Sequence, residues 1–184
     1  MPKDTFFNLP DGKRQAITDL AIEEFASKPY KNVSISRIVE RAGIAKGSFY
    51  QYFENKKDLY LYLIQLTVEE KTAFLQSVPP PADGNIFQHL RWMVDAGLNF
   101  EFSNPRLAQI GYRALYDDVP LPDETLATIR KGSLAYFSTL VEGGIQSGDI
   151  DPAIDPGVAA FVFNTIFTNL GEFVMDRQDI SPED

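Results

Sequence analysis

Residues 43–59 read GIAKGSFYQYFENKKDL, and the fold turns on how the aromatics in this stretch are shared between two sides of a helix. Phe49, Tyr50, Tyr52 and Phe53 crowd together directly after Gly47 and Ser48, and Lys56 and Lys57 follow. On a helix Ala45, Phe49 and Phe53 lie on one side, while Tyr50 lies about 100° away from Phe49, beside Lys46 and Gly47. Phe49 and Phe53 are therefore expected in a core, and Tyr50 and Tyr52 are expected to turn their edges outward.

Upstream, Ile17, Leu20, Ala21 and Phe25 form one apolar helical stripe, and Ile35, Ile38, Val39 and Ala42 form a second. Ser34 is a good N-cap for the second helix, because its hydroxyl can accept from an otherwise orphan N–H. Gly43 can supply the positive-φ turn that ends it. The pair Ile35–Ala42 and Ala45–Phe53, joined through Ala42-Gly43-Ile44, has the lengths and turn of a helix-turn-helix. Double-stranded DNA accounts for the outward set. A recognition helix enters the major groove with its N-terminal residues against base edges. Gly47 lets the backbone come close, Ser48 can bond several base edges, and Lys46 suits guanine or phosphate. Tyrosines such as Tyr50 and Tyr52 can pack on a thymine methyl or reach a phosphate. Helix N-termini bind phosphate, which makes Ser34 and the helix opened by Asn55, with Lys56 and Lys57, natural clamps.

That helix is expected to run to about Val78, where PPPADG, residues 79–84, breaks it. Further helices are expected at 85–102, 105–116, 122–147 and 156–177, with Pro105 tolerated in a first turn. Sustained apolar alternation is absent, so the class is all-α. The expected organisation is an N-terminal three-helix helix-turn-helix domain, residues 1–55, joined by a long fourth helix to a helical ligand-binding and dimerisation domain, residues 56–184.

Composition narrows the function classes. The net charge is −9, yet residues 1–60 carry 10 Lys and Arg against 8 Asp and Glu, and residues 61–184 carry 7 against 18. A neutral-to-basic working end on an acidic body is the implied arrangement. With no cysteine, disulfides and thiolate metal sites are excluded. No apolar run reaches the roughly 18 residues of a membrane span, and a cytoplasmic location without membrane, cofactor or metal is expected. Catalysis is disfavoured: a nucleophilic triad would have to be built on the single histidine, His89. The carboxylate pairs Asp117-Asp118 and Asp123-Glu124 fall in a loop and at a helix start.

The order Phe25, Tyr30, Ser34, Ile38, Ala42-Gly43, Gly47-Ser48, Tyr50-Gln51-Tyr52-Phe53, Lys56 and Leu59 resembles the DNA-binding domain of the TetR-like family of helix-turn-helix regulators, over residues 13–63. The resemblance implies that Ser34, Tyr52 and Lys56 hold phosphates and that Ser36, Lys46, Gly47, Ser48 and Tyr50 face bases. Three positions depart from the family pattern: Pro29, Val39 and Arg37. Arg37 forgoes a capping-box carboxylate and is free to take a phosphate. The resemblance further implies a repressor that binds a palindromic operator as a homodimer and is released by a small-molecule effector. A regulator without an effector, or an activator, shares the same motif. The family's last two helices form the dimer interface, which places Val158, Val162, Phe163, Ile166, Phe167 and Leu170 there. Its effector site lies among the helices of the body, where Phe74, His89, Trp92, Phe100, Tyr112 and Tyr116 are the candidates; aromatics at helical spacing are more often plain core than ligand contacts.

Overall fold

A computed structural model describes residues 1–82, 84–116 and 123–177. The described residues are helical, with no strand among them. The helices are α1 (Asp4–Phe7), α2 (Asp11–Ser27), α3 (Ile35–Arg41), α4 (Lys46–Tyr52), α5 (Lys56–Ser77), α6 (Ile86–Ser103), α7 (Pro105–Tyr116), α8 (Asp123–Ser147) and α9 (Pro156–Arg177), with a 3-10 turn at Tyr30–Asn32. None of them is long and apolar enough to cross a membrane. The expected loop holding Asp117 and Asp118, and the side chains of Tyr116, Asp123 and Glu124, lie outside the described residues.

Local chemistry sets the helix ends. Ser34 Oγ accepts from Arg37 N at 3.3 Å and caps α3. At the other end Gly43 adopts φ 62°, Ile44 N donates to Val39 O at 3.0 Å, and Gly43 N donates to Glu40 O at 3.1 Å. These are the two bonds of a Schellman closure, and the positive φ is why glycine stands there. Asn55 Oδ1 accepts from Asp58 N at 3.0 Å, while Asp58 Oδ2 accepts from Glu54 N at 3.1 Å, so both side chains close the start of α5. Asn85 and Gln88 each accept from the other's backbone N–H, at 2.9 and 3.0 Å, and form a capping box on α6. Pro29 precedes the 3-10 turn and holds Lys28 in the extended conformation expected of a residue before proline.

The chain divides into two compact units. The first holds Met1–Ala73 together with α7. Its core joins Phe25, Ile38, Phe49, Phe53, Leu59, Tyr60, Leu63 and Ile110, with Phe25 and Tyr60 stacked at 4.9 Å. The second holds Phe74–Ser103 with α8 and α9. There Ile86, Leu90, Phe137, Val141, Ile150 and Ala160 are buried, backed by Phe163 and Phe167. Phe163 and Phe167 were expected on a dimer face; instead they lie on the inward side of α9, with Phe167 5.3 Å from the Phe137 ring.

One element has no counterpart in the expectations. The first residues fold as α1 and bury Phe6 completely. That segment also accounts for the main correction within the first unit. Tyr52, expected to face outward, is 7% exposed, because the Phe6 ring packs 6.1 Å from it and Lys3 N bonds its carbonyl.

Candidate nucleic-acid interface

The short helix α4 is pinned by its apolar side. Phe49 and Phe53 are buried and stack at 5.5 Å, so the opposite side of α4 is held outward. Lys46 and Gly47 are exposed there and Ser48 is half-buried. Tyr50 is 51% exposed, and its ring meets Phe49 edge-on at 5.2 Å, so an aromatic core residue orients an aromatic surface residue. A methyl group added at Gly47 would meet no atom within 4 Å, and its backbone is not in the positive-φ region. Nothing in the fold itself calls for glycine at that position.

Beside this helix, α3 presents Ser36 and Arg37, both exposed, and half-buried Ser34 at its start. Beyond the buried Ile38 and Val39, α3 is tied to α2 by Glu24, a carboxylate buried in α2. Glu24 Oε1 accepts from Ser34 N at 3.2 Å, and its carboxylate is neutralised by Lys28 Nζ at 2.8 Å. Arg37 Nη1 stands 3.6 Å from Glu24 Oε2, so the arginine that lacks a capping-box role is partly engaged from behind. A second set ties α2 to α3: Arg41 donates to both Glu23 oxygens at 2.8 and 3.1 Å. Those bonds hold the Glu23 carboxyl below its ordinary range. Arg106 of α7 approaches Glu23 at 3.9 Å.

Lys56 occupies a different position from the expected one. Its ammonium donates to the carbonyls of Tyr30, Val33 and Lys31 at 2.8, 3.3 and 3.4 Å, and it lies 4.5 Å from the Tyr30 ring centroid. Burial pushes its pKa below the usual lysine range. Its three donors are therefore spent on the turn that leads into Ser34, and Lys56 acts as a staple between that turn and α5. Sequence reasoning missed Glu24, whose partners Lys28, Ser34 and Arg37 lie within 13 positions, and Lys3, whose partners Tyr50 and Tyr52 lie far along the chain; the paired Phe6-Phe7 in a polar segment was the available signal for the latter.

In the second unit the pocket candidates separate. His89 and Trp92 stand together, ring centroids 5.2 Å apart, and His89 Nε2 is 2.8 Å from the Tyr136 hydroxyl. Burial lowers the imidazole pKa and raises that of the phenol, so both are neutral at pH 7 and the hydroxyl can donate to a bare Nε2. Trp92 Nε1 donates to Val78 O. Phe100 is buried core, met edge-on by Phe74 at 5.7 Å. Tyr112 belongs to the first unit, and the Tyr116 side chain is outside the described residues. On α9, Val158, Val162 and Ile166 are exposed, and Leu170 is half-buried. Phe161, not anticipated, is 61% exposed on the same helix.

Comparison with known proteins agrees with this geometry. Residues 17–63 match the bacterial regulatory proteins of the tetR family, and residues 84–184 match the tetracyclin repressor-like C-terminal domain. The crystal structure of a TetR family transcriptional regulator from Chloroflexus aurantiacus J-10-FL is 57% identical, with a TM-score of 0.87, covering 100% of this chain and 84% of that one. The fatty acid metabolism regulator protein of Bacillus subtilis (strain 168) is 27% identical over 90% of this chain and 86% of its own. The crystal structure of the transcriptional regulator FadR from Bacillus subtilis in complex with stearoyl-CoA shares the fold, at 24% identity and a TM-score of 0.68, over 91% of this chain and 90% of that one. With both portions matched and one solved relative alike over the whole length, the chain belongs to the TetR family of bacterial transcriptional regulators.

Proposed function

We infer that the chain is a repressor that binds a palindromic operator as a homodimer, with residues 1–55 reading DNA and residues 56–184 carrying effector binding and dimerisation. Lys46, Gly47, Ser48 and Tyr50 face base edges, and Ser34, Ser36 and Arg37 with the first N–H groups of α3 and α5 hold phosphates. Tyr52 and Lys56 serve that surface from beneath, one anchoring the end of α4 and the other the turn before Ser34. Gly47 carries the reading. It is exposed, costs helix stability relative to alanine, and has open space around it. A backbone that must approach a groove edge supplies the missing reason for glycine.

The dimer rests on α9, whose exposed Val158, Phe161, Val162 and Ile166 form an apolar face that a second copy would cover, giving the two-fold symmetry a palindrome requires. The effector is a small molecule with substantial apolar surface, bound in the aromatic-rich second domain near His89 and Trp92. The stearoyl-CoA bound by the Bacillus subtilis regulator makes long-chain acyl-CoA the first class to test. An effector that prefers the non-binding conformer releases DNA by that preference alone. The test is selection from a randomised duplex pool, followed by titration of the selected duplex with salt and with acyl-CoA. A palindromic sequence bound with steep salt dependence is expected, and enrichment of no sequence would refute the reading.

A further inference from the structure

We propose that Lys3–Phe7 is a brace that positions the recognition helix from its C-terminal end, so that these residues govern operator choice without touching DNA; this rests on the DNA-reading role proposed for α4. The need for a brace is visible in α4 itself. It has seven residues, fewer than the ~12–15 that a helix needs to persist unaided in water. Its N-cap, Ala45, offers no side-chain bond, and Gly47 weakens the first turn. The N-terminal end is bare because it is the reading end, so the holding devices must lie at the other.

They do. The last four carbonyls of a helix lack partners within it, and in α4 all four are satisfied. Phe49 O accepts from Phe53 N at 2.8 Å, and Tyr52 O accepts from Lys3 N at 2.8 Å. Tyr50 O accepts from Lys3 Nζ at 2.8 Å, and Gln51 O accepts from Thr5 Oγ1. Three of the four donors come from a segment some 46 residues upstream of α4's end. The lysine also places a cation where the helix dipole is negative. Phe6 fixes the segment, being fully buried with its ring 4.7 Å from Phe53 and 5.5 Å from Tyr62. Arg14 Nη1 donates to Phe7 O at 2.9 Å and ties the brace to α2. Tyr50, the residue assigned to base edges, thus has its ring set by Phe49 and its carbonyl set by Lys3.

The test uses the full chain carrying Lys3→Ala and Thr5→Ala together, with Lys3→Arg as the conservative control. Both side chains are exposed and Phe6 is left in place, so the core is not opened. The probes are the duplex that the wild-type chain enriches from a randomised pool and a random duplex of equal length. The double variant is expected to lose about tenfold in affinity for the selected duplex, with little change on the random one and an unchanged salt slope. Lys3→Arg should retain most of the affinity, and amide exchange at Phe53 should quicken in the double variant. An equal loss on both duplexes with a shallower salt slope would make Lys3 a phosphate contact and overturn the brace, as would undiminished selectivity. If the wild-type chain enriches no sequence, the DNA-reading role fails and the inference fails with it, an outcome distinct from loss of the brace alone.

Discussion

Lys56 Nζ stands 2.8 Å from the Tyr30 carbonyl and 4.5 Å from the centroid of the same residue's ring. One side chain thus holds both the backbone and the aromatic face of the turn that delivers Ser34 to α3. A residue expected to meet phosphate is instead part of the scaffold behind the surface proposed for DNA.

Replacing Lys56 with alanine should therefore act on stability before it acts on DNA. Removing a charged donor from three carbonyls is expected to cost about 1–3 kcal/mol, read as a lowered urea midpoint with unchanged slope. Binding should then weaken about equally for every duplex. A variant as stable as wild type would show that the bonds to Tyr30, Lys31 and Val33 contribute nothing.

Gly47→Ala separates fold from function. Alanine should stabilise α4 by up to about 1 kcal/mol, since the added methyl meets no neighbour. Affinity for the selected duplex should nevertheless fall. A variant that is more stable and binds equally well would remove the argument for close backbone approach.

The two aromatic classes of the opening stretch should respond differently. Tyr50→Ala is expected to change the rank order among related duplexes with little effect on stability. Phe49→Ala should cost about 3–5 kcal/mol by opening a cavity. Comparable stability losses for the two would contradict the division of faces.

On α9 the pair Val162→Glu and Ile166→Glu should yield monomers in sedimentation at micromolar concentration, with helical content preserved. Phe167→Ala, which opens the core beside Phe137, should instead lower the melting temperature. Retention of the dimer by the glutamate pair would move the interface elsewhere.

His89 supplies a pH test. Burial places its folded pKa below the ordinary 6.5, so the unfolded chain takes up a proton more readily. Stability owed to the neutral ring is complete above about 6.5 and declines as pH falls through that value towards the lower folded pKa. The urea midpoint of wild type should therefore drop more than that of His89→Gln on going below pH 6.5; parallel curves would mean that the ring titrates freely.

The helix ends were legible because their causes lie within four residues. Ser34, Gly43, Asn55 and Pro105 each mark a boundary by capping chemistry or fixed φ that needs no distant partner. The recognition motif was legible for the same reason, its residues being contiguous. Faces were harder. Tyr52 and Lys56 read as outward because helical spacing gives a direction on the wheel, yet spacing says nothing about what arrives from elsewhere. Phe6 covers the first, and the Tyr30 turn absorbs the second. Phe163 and Phe167 likewise differ from Val162 and Ile166 only by which side of α9 meets Phe137. From the sequence alone came an all-α chain and its helix limits, products of local bonding, and a resemblance to DNA-reading regulators carried by one contiguous motif. The tertiary structure decided which rings are core, which ammonium is spent, and that the first seven residues close the end of α4, because contacts between residues some 25 to 50 positions apart exist only once the chain has folded.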